Sequence, residues 1–252
     1  MTSPAEWNTA PARSAGSASV LDRIIAILDA VRESRGSISI TELAARTALP
    51  KSTVSRLVAA MIQQRYLERT EDGVTLGLRL FELGARASVP RRLIAAAAPI
   101  IKHLYDLTGE RVGLWVHQGT DMVSIVAVPG RLPMLSTRAG MRSPALTTAS
   151  GKAYLAFCAD QSVVDRVSAP LNDDAADHFR DELSQVRASV VATDREVSYP
   201  GILAVASPVL SADRVVLAAI SIAGPSGAMD PESVAPLVRA AGVTLSRRLA
   251  AA

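Results

Sequence analysis

The chain has 252 residues, 49% of them hydrophobic and 20% charged, too apolar for a disordered polymer and long enough for one large domain or two small ones. Aromatics make up only 4%, so aliphatic side chains must build the core. Lys and Arg total 27 against 24 Asp and Glu, a formal net charge of +3, which permits nucleic-acid binding without arguing for it.

Residues 1–19 are rich in Ala, Ser, Pro and Thr and lack a periodic apolar stripe, which reads as a disordered tail. Over residues 20–31, Val20, Leu21, Ile24, Ile25, Leu28 and Val31 recur at helical spacing. Arg35-Gly36-Ser37 breaks that helix. Ser39-Ile40-Thr41-Glu42 reads as a capping box for a second helix. Leu49-Pro50 keeps it short, and Pro50 suits the first position of a third helix reaching about residue 65. Residues 66–70 and 74–77 read as strands joined by Glu71-Asp72-Gly73. Three helices and a small hairpin in succession form a winged helix-turn-helix pattern. A short helix follows over 78–87. Ser88-Val89-Pro90 punctuates the chain, and Arg91 opens a long helix to about residue 107. The expected organisation is a tail over 1–19, a winged helix-turn-helix over 20–88, a linker helix over 89–107 and a second domain over 108–252.

That second domain reads as α+β, a mixed sheet with flanking helices. Strands are expected over 112–116, 122–128, 134–138, 202–210 and 215–223. Helices are expected over 152–158, 175–191 and 230–250, the last capped by Asp230 before Pro231.

In the third helix Val54, Leu57, Val58, Met61 and Ile62 share a core-facing side. The opposite side carries Ser52, Ser55, Arg56, Ala59 and Gln63, with Lys51 and Thr53 at the N-terminal end. Small residues let such a helix approach a groove floor, hydroxyls and Gln63 offer short hydrogen bonds, and Arg56 reaches guanine edges or phosphate. Arg69 sits in the wing, where a cation can contact the flanking backbone or minor groove. A plain solvated face is the competing explanation; the cap, Pro50 and the hairpin together favour double-stranded DNA.

The pattern of Glu42-Leu43-Ala44, then residues 49–57 (LPKSTVSRL), then Tyr66-Leu67 resembles the winged helix-turn-helix of IclR-type transcriptional regulators. Residues 140–144 (GMRSP), 148–153 (TASGKA), 201–206 with Pro208, and 221–225 (SIAGP) resemble that family's effector-domain signatures. The resemblance runs from about residue 20 to the C-terminus. It implies a GAF-like effector-binding domain, a homodimer or homotetramer, and a partly palindromic operator.

Gly151-Lys152 is not a P-loop, because Leu146 stands where its first glycine is required and Ala153 replaces the metal-binding hydroxyl. The start of the helix that contains Lys152, with Thr148 and Ser150, is a candidate site for a small carboxylate; simple capping is the competing explanation. The resemblance carries an effector pocket onto Ala149 and Ser150, onto Leu132 and Leu135 as apolar wall, onto Asp194 or Glu196 as the acid, and onto Ala204 and Ser221 on the late strands. Ser221 faces away from the Ile220 and Ile222 side of its strand and needs a partner, either ligand or a neighbouring group. Leu146, Ala204 and Ala223 stand where His, Cys and Ser are frequent in the family, which points to a less polar pocket and a larger or more apolar acid.

Cys158, the single cysteine, excludes an intramolecular disulfide, fits a reducing cytoplasm and reads as a buried small hydrophobe. His103, His117 and His178 lack zinc-ligand spacing, and no catalytic set or cofactor motif is recognisable. The longest apolar runs, such as residues 93–101, are too short for a bilayer, and no secretory h-region opens the chain; a cytoplasmic protein without a membrane partner is expected. The leading reading is a ligand-responsive, non-enzymatic DNA-binding regulator. The alternatives are a GAF-like enzyme or sensor whose winged helix mediates protein contacts, and a constitutive DNA-binding protein.

Overall fold

The computed structural model describes residues 19–34, 36–131 and 138–251. They divide between Ala87 and Ser88 into two compact units. Most of the expected tail lies outside the described residues, but Ser19 does not belong to it. Ser19 caps helix α1 (Val20–Glu33): its hydroxyl accepts from the Asp22 amide, and the Asp22 carboxylate accepts from the Ser19 amide. A reciprocal box of this kind satisfies amides that the first helical turn leaves unpaired.

Helix α2 (Ile40–Thr47) starts on Ser39, whose hydroxyl accepts from the Glu42 amide at 3.2 Å. The return half of the expected box is replaced. Glu42 accepts instead from Arg46 at 2.7 Å, the favoured i,i+4 pairing of an acid with a following base. Pro50 sits one position earlier than expected, as the N-cap of α3 (Lys51–Gln63), and its carbonyl accepts from the Thr53 and Val54 amides. Ile27, Leu43 and Val54 are fully buried where the three helices meet.

Strands β1 (Leu67–Thr70) and β2 (Gly73–Leu76) pair with Thr70 opposite Gly73. Ile38 and Val74 exchange two backbone hydrogen bonds of 3.0 Å, which tie the hairpin to the segment before α2. That approach needs Gly73, where a Cβ would lie 2.3 Å from the Ile38 carbonyl oxygen. Helix α4 (Leu78–Gly84) ends the unit.

The second unit opens with α5 (Ser88–Thr108). The punctuation expected at Ser88-Val89-Pro90 is the helix's own first turn, where proline's missing N–H leaves no bond unmade. Leu93, Ala97, Ile100, Ile101 and Leu104 are buried in the core of this unit. The sheet contains β3 (Arg111–Gln118), β4 (Asp121–Val128), β5 (Arg142–Pro144), β6 (Ala192–Arg195), β7 (Ile202–Leu210) and β8 (Val216–Pro225), in the order β5-β4-β3-β8-β7-β6. It is not mixed, as expected from sequence: every described pairing is antiparallel. The β3–β4 and β7–β8 neighbours join by short turns, which can only run antiparallel, and β8 then docks against β3 in the opposite sense.

Helices α6 (Ala149–Leu155), α7 (Gln161–Ser168) and α8 (Asp173–Ser189) carry the chain from the β5 edge to the β6 edge. Of these, α7, β5 and β6 were not expected. Of the strand expected over 134–138, residues 134–137 lie outside the described residues and Arg138 is in a loop. One sheet face packs Leu114, Val205, Ile220 and Ile222 with α5 and α9 (Pro231–Ala250). The other packs Trp115, Ala206 and Ala219 with residues of α6 to α8. This alternation is the period-two pattern of strands covered on both sides.

Among the described residues no helix is long and apolar enough to cross a membrane. Gly151 sets the position of α6, since a Cβ there would lie 2.0 Å from the Ala145 carbonyl oxygen. Backbone cannot give way cheaply, so Gly151→Ala is expected to destabilise the second unit by about 1–3 kcal/mol. The check is a lower urea midpoint at unchanged slope; a midpoint equal to wild type would show that α6 can retreat from Ala145.

Candidate functional site

The outer face of α3 is as the sequence suggests. Lys51, Ser52, Ser55, Arg56 and Gln63 are exposed, Thr53 is half-buried, and Val54, Val58 and Met61 are buried. Helices α1 and α2 carry side-chain caps, whereas α3 has none and has no acid in its first turn. The positive end of its dipole therefore lacks a neutralising carboxylate of its own and sits beside Lys51 and Ser52. Arg69 is exposed on β1, opposite Val74.

In the second unit a pocket lies over the sheet face that carries α6. Its floor comes from β3, β8 and β7: Arg111 and Trp115, Ser221 and Ala223, Ile202 and Ala204. Registers explain the grouping, since Arg111 faces Ala223, and Ala223 faces Ala204. Between Arg111 and Trp115 lies Gly113, paired with Ser221. A Cβ there would lie 2.5 Å from Trp115 Nε1. The missing side chain lets the indole lie against the strand and donate to Ser221 Oγ at 2.9 Å, in a buried bond. The partner that Ser221 requires is thus Trp115, and Ser221 still lines the pocket.

The α6 end contributes Thr148, Ala149 and Ser150. Capping occupies the Thr148 hydroxyl, which accepts from the Gly151 amide at 3.2 Å and donates to the Pro144 carbonyl at 2.8 Å. Ser150 Oγ is buried and lies 3.4 Å from Thr148 Oγ1. From the β6 side come Asp194, Ser198 and Tyr199. Asp194 Oδ1 accepts from the Val197 and Ser198 amides, and Ser198 donates to Thr147, so this loop is tied down at both ends.

Glu196, the other acid considered, is not among the residues that line the pocket. It is exposed at φ 62 in the β6–β7 turn and accepts from the Gly201 amide. Hydrogen bonds from Ser226 and Gly201 hold its carboxyl below the usual range. Leu132 and Leu135 lie outside the described residues.

Arg111 was not anticipated. It is 7% exposed, with its guanidinium over the Trp115 ring at 5.2 Å. Its Nε and Nη2 are buried without a hydrogen-bond partner among the described residues. Burial pulls its pKa below the ordinary arginine value, yet a guanidinium stays cationic at neutral pH. Ser143, Ser198 and Tyr199 were also missed. An arginine opening a strand carries no sequence signal that tells a buried group from a solvated one.

Among the described residues no cluster of His, Cys, Asp and Glu could hold a metal. Cys158 is half-exposed rather than buried, because α6 ends at Leu155 and the cysteine lies in the following loop.

Residues 86–247 match the bacterial transcriptional regulator IclR C-terminal domain, and residues 20–71 match the IclR helix-turn-helix domain. The chain belongs to the IclR family. The transcriptional regulator KdgR of Escherichia coli K12 is 32% identical over 215 residues, covering 81% of each chain. The transcriptional repressor IclR of the same strain is 29% identical over 231 residues, covering 86% of this chain and 83% of its own. An IclR homologue from Microbacterium hydrocarbonoxydans, solved in complex with 4-hydroxybenzoate, superposes with TM-score 0.82 at 26% identity, covering 93% of this chain and all of that one. The protein is therefore a DNA-binding transcriptional regulator of α+β fold, not an enzyme. The reading of the winged helix as a protein-contact module for an enzyme falls with that finding.

One ionisable group on the α6 face sets a pH dependence. His117 stacks on Tyr154 at 4.9 Å, and its Nε2 is buried without a partner among the described residues. Burial, then the nearby Arg166 charge, lowers its pKa, with Asp121 and the Gly119 backbone opposing. The unfolded chain then binds the proton more readily, so stability from this group is present above the ordinary histidine pKa and is lost as pH falls below it. His117→Gln should flatten the fall in urea midpoint between about pH 7 and pH 5. An undiminished fall in the variant would assign the effect elsewhere.

Proposed function

We propose that this IclR-family regulator reads a partly palindromic operator through α3 and changes its operator affinity when a small organic acid enters the pocket over β3, β8 and β7. The observation that carries the reading is the pocket itself: a cation, a carboxylate and several serine hydroxyls converge on a floor of Ala204, Ala223 and the Trp115 ring. A few convergent polar groups over an apolar base make a small-molecule site. The complex of the Microbacterium homologue with 4-hydroxybenzoate supports an acid as the ligand class. Thr148, Ala149, Ser150, Asp194, Ala204 and Ser221 are the ligand-facing residues foreseen from sequence that line this pocket.

On the DNA side Lys51, Ser52, Thr53, Ser55, Arg56 and Gln63 contact the operator, with Arg69 on the flanking backbone. A palindrome calls for paired units, and we read the protein as a dimer at least. Of the apolar residues Leu93, Ile94, Ile100 and Ile101 on α5, whose pattern also suggests self-association, Ile94 is exposed at 39% and the other three are core residues of the second unit. Val20, Leu21 and Ile25 on α1 remain exposed at 62%, 63% and 46% and offer apolar surface for pairing. A reduced lone cysteine and no membrane-spanning helix among the described residues fit a cytoplasmic location.

Two measurements test the reading. Arg56→Ala should weaken operator binding in gel shift by about 1–3 kcal/mol, the range for a bidentate base contact; unchanged affinity removes Arg56 from the interface. Ala204→Leu should fill the pocket and abolish the response of operator affinity to acid, while ligand-free binding to the operator persists. A response kept intact in Ala204→Leu would place the effector elsewhere.

A further inference from the structure

The two buried donors of Arg111 without partners among the described residues are Nε and Nη2. Their N–H groups lie in the guanidinium plane along one edge and point the same way, which makes them the side-on fork that receives both oxygens of one carboxylate. A burial of this depth is unfavourable for a cation without a counter-charge. Neither nearby acid gives these donors a hydrogen bond among the described residues, although Glu110 Oε2 is itself buried without a partner there. Glu110 pairs with Arg131 at 2.7 Å and does not line the pocket, and Asp194 Oδ1 serves the Val197 and Ser198 amides. The ring of Trp115 supports the cation's face and leaves its edge open.

Resting on the pocket reading above, we infer that Arg111 is the residue that binds the effector's carboxylate, and that the effector is a monocarboxylate bearing a neutral hydrogen-bond donor. Arg111 is the one cation lining the pocket among the described residues, and Asp194 is the one acid. One fork takes one carboxylate. A second anionic group would meet the Asp194 carboxylate, which accepts hydrogen bonds and cannot donate them, and like charges there would disfavour it. A hydroxyl in that place donates to the acid or exchanges bonds with Ser198 and Ser150. The α6 end has no comparable anchor, because Thr148 is committed to the cap.

The test uses calorimetric titration of the full chain with glycolate, 3-hydroxypropionate and 4-hydroxybenzoate. Each is set beside its amide and beside the diacid in which a carboxylate replaces the hydroxyl-bearing end: oxalate, malonate and terephthalate. At least one monoacid should bind, with its amide and diacid weaker by tenfold or more. Arg111→Met should weaken that acid by about ten- to a hundredfold, and Arg111→Lys, which keeps the charge and loses the fork, by less. Ligand-free Arg111→Met should melt no lower than wild type, since it removes an unpaired buried charge; if it fails to fold, Arg111→Lys and the amide series decide. Equal affinity in the Arg111 variants, equal affinity for the diacid, or no monoacid bound by wild type overturns the inference. Loss of binding in Ala204→Leu with full binding in Arg111→Met would sink Arg111 and spare the pocket. Full binding in both variants would sink both.

Discussion

Helices cover both faces of the six-stranded sheet, so a polar side chain in the buried stretches of its central strands is removed from water and must find a partner inside the fold or in something the fold binds. Strand β3 is buried from Arg111 through Trp115, and β8 is buried along most of its length. Ser221 answers the constraint by accepting from Trp115, and Ser207 by donating to the Val190 carbonyl. Lys152 is 6% exposed and meets Glu182 at 2.7 Å. Among the described residues Arg111 is the pocket-lining group that keeps buried donors without a partner, and an unsatisfied buried cation is a directional statement about what the pocket accepts.

The pocket exists because side chains are missing from the sheet face that carries α6. Gly113, Ala204, Ala206, Ala219 and Ala223 succeed one another across β3, β7 and β8. Larger residues there would fill the space between sheet and α6 and join the surrounding core. Gly151 brings α6 down on Ala145, while the glycine and alanines keep the floor low, so the same pair of elements is in tight contact at one end and open at the other. Ala204 and Ala223 add no polar group to the floor. Polarity in the pocket is thereby left to Arg111, Asp194 and the hydroxyl side chains.

What the sequence made legible was local chemistry. Caps, Leu49-Pro50 and the Glu71-Asp72 turn act over a few residues, so the winged helix could be read residue by residue. Strand direction is not local. Alternation says which side chains share a face and nothing about which way a neighbour runs, and an antiparallel sheet was therefore expected to be mixed. Strands of three and four residues, β5 and β6, are too short to show a period. Ser19 was lost to the tail because its box partner is Asp22, within a helix that already read well without it. Arg111 was illegible for another reason: one residue before an apolar strand, an arginine ordinarily snorkels to water. Only the crossing of β4 and β8 on either side of β3, with α6 above, encloses it.

The enclosure also limits what a ligand can do to the protein. A ligand shifts an equilibrium only by the difference in its affinity for the two states. A contact on a mobile rim would be nearly the same in both. A carboxylate at Arg111 is different, because the guanidinium is held by β3, by the Trp115 ring and by the register with Ala223, and small changes in those elements alter the fork. The interaction is strongest where water is excluded, so a state that opens the pocket weakens the bond and a state that closes it strengthens the bond. On the reading proposed above, a charge pair formed in the interior of the effector unit would couple ligand occupancy to how tightly the sheet and α6 pack.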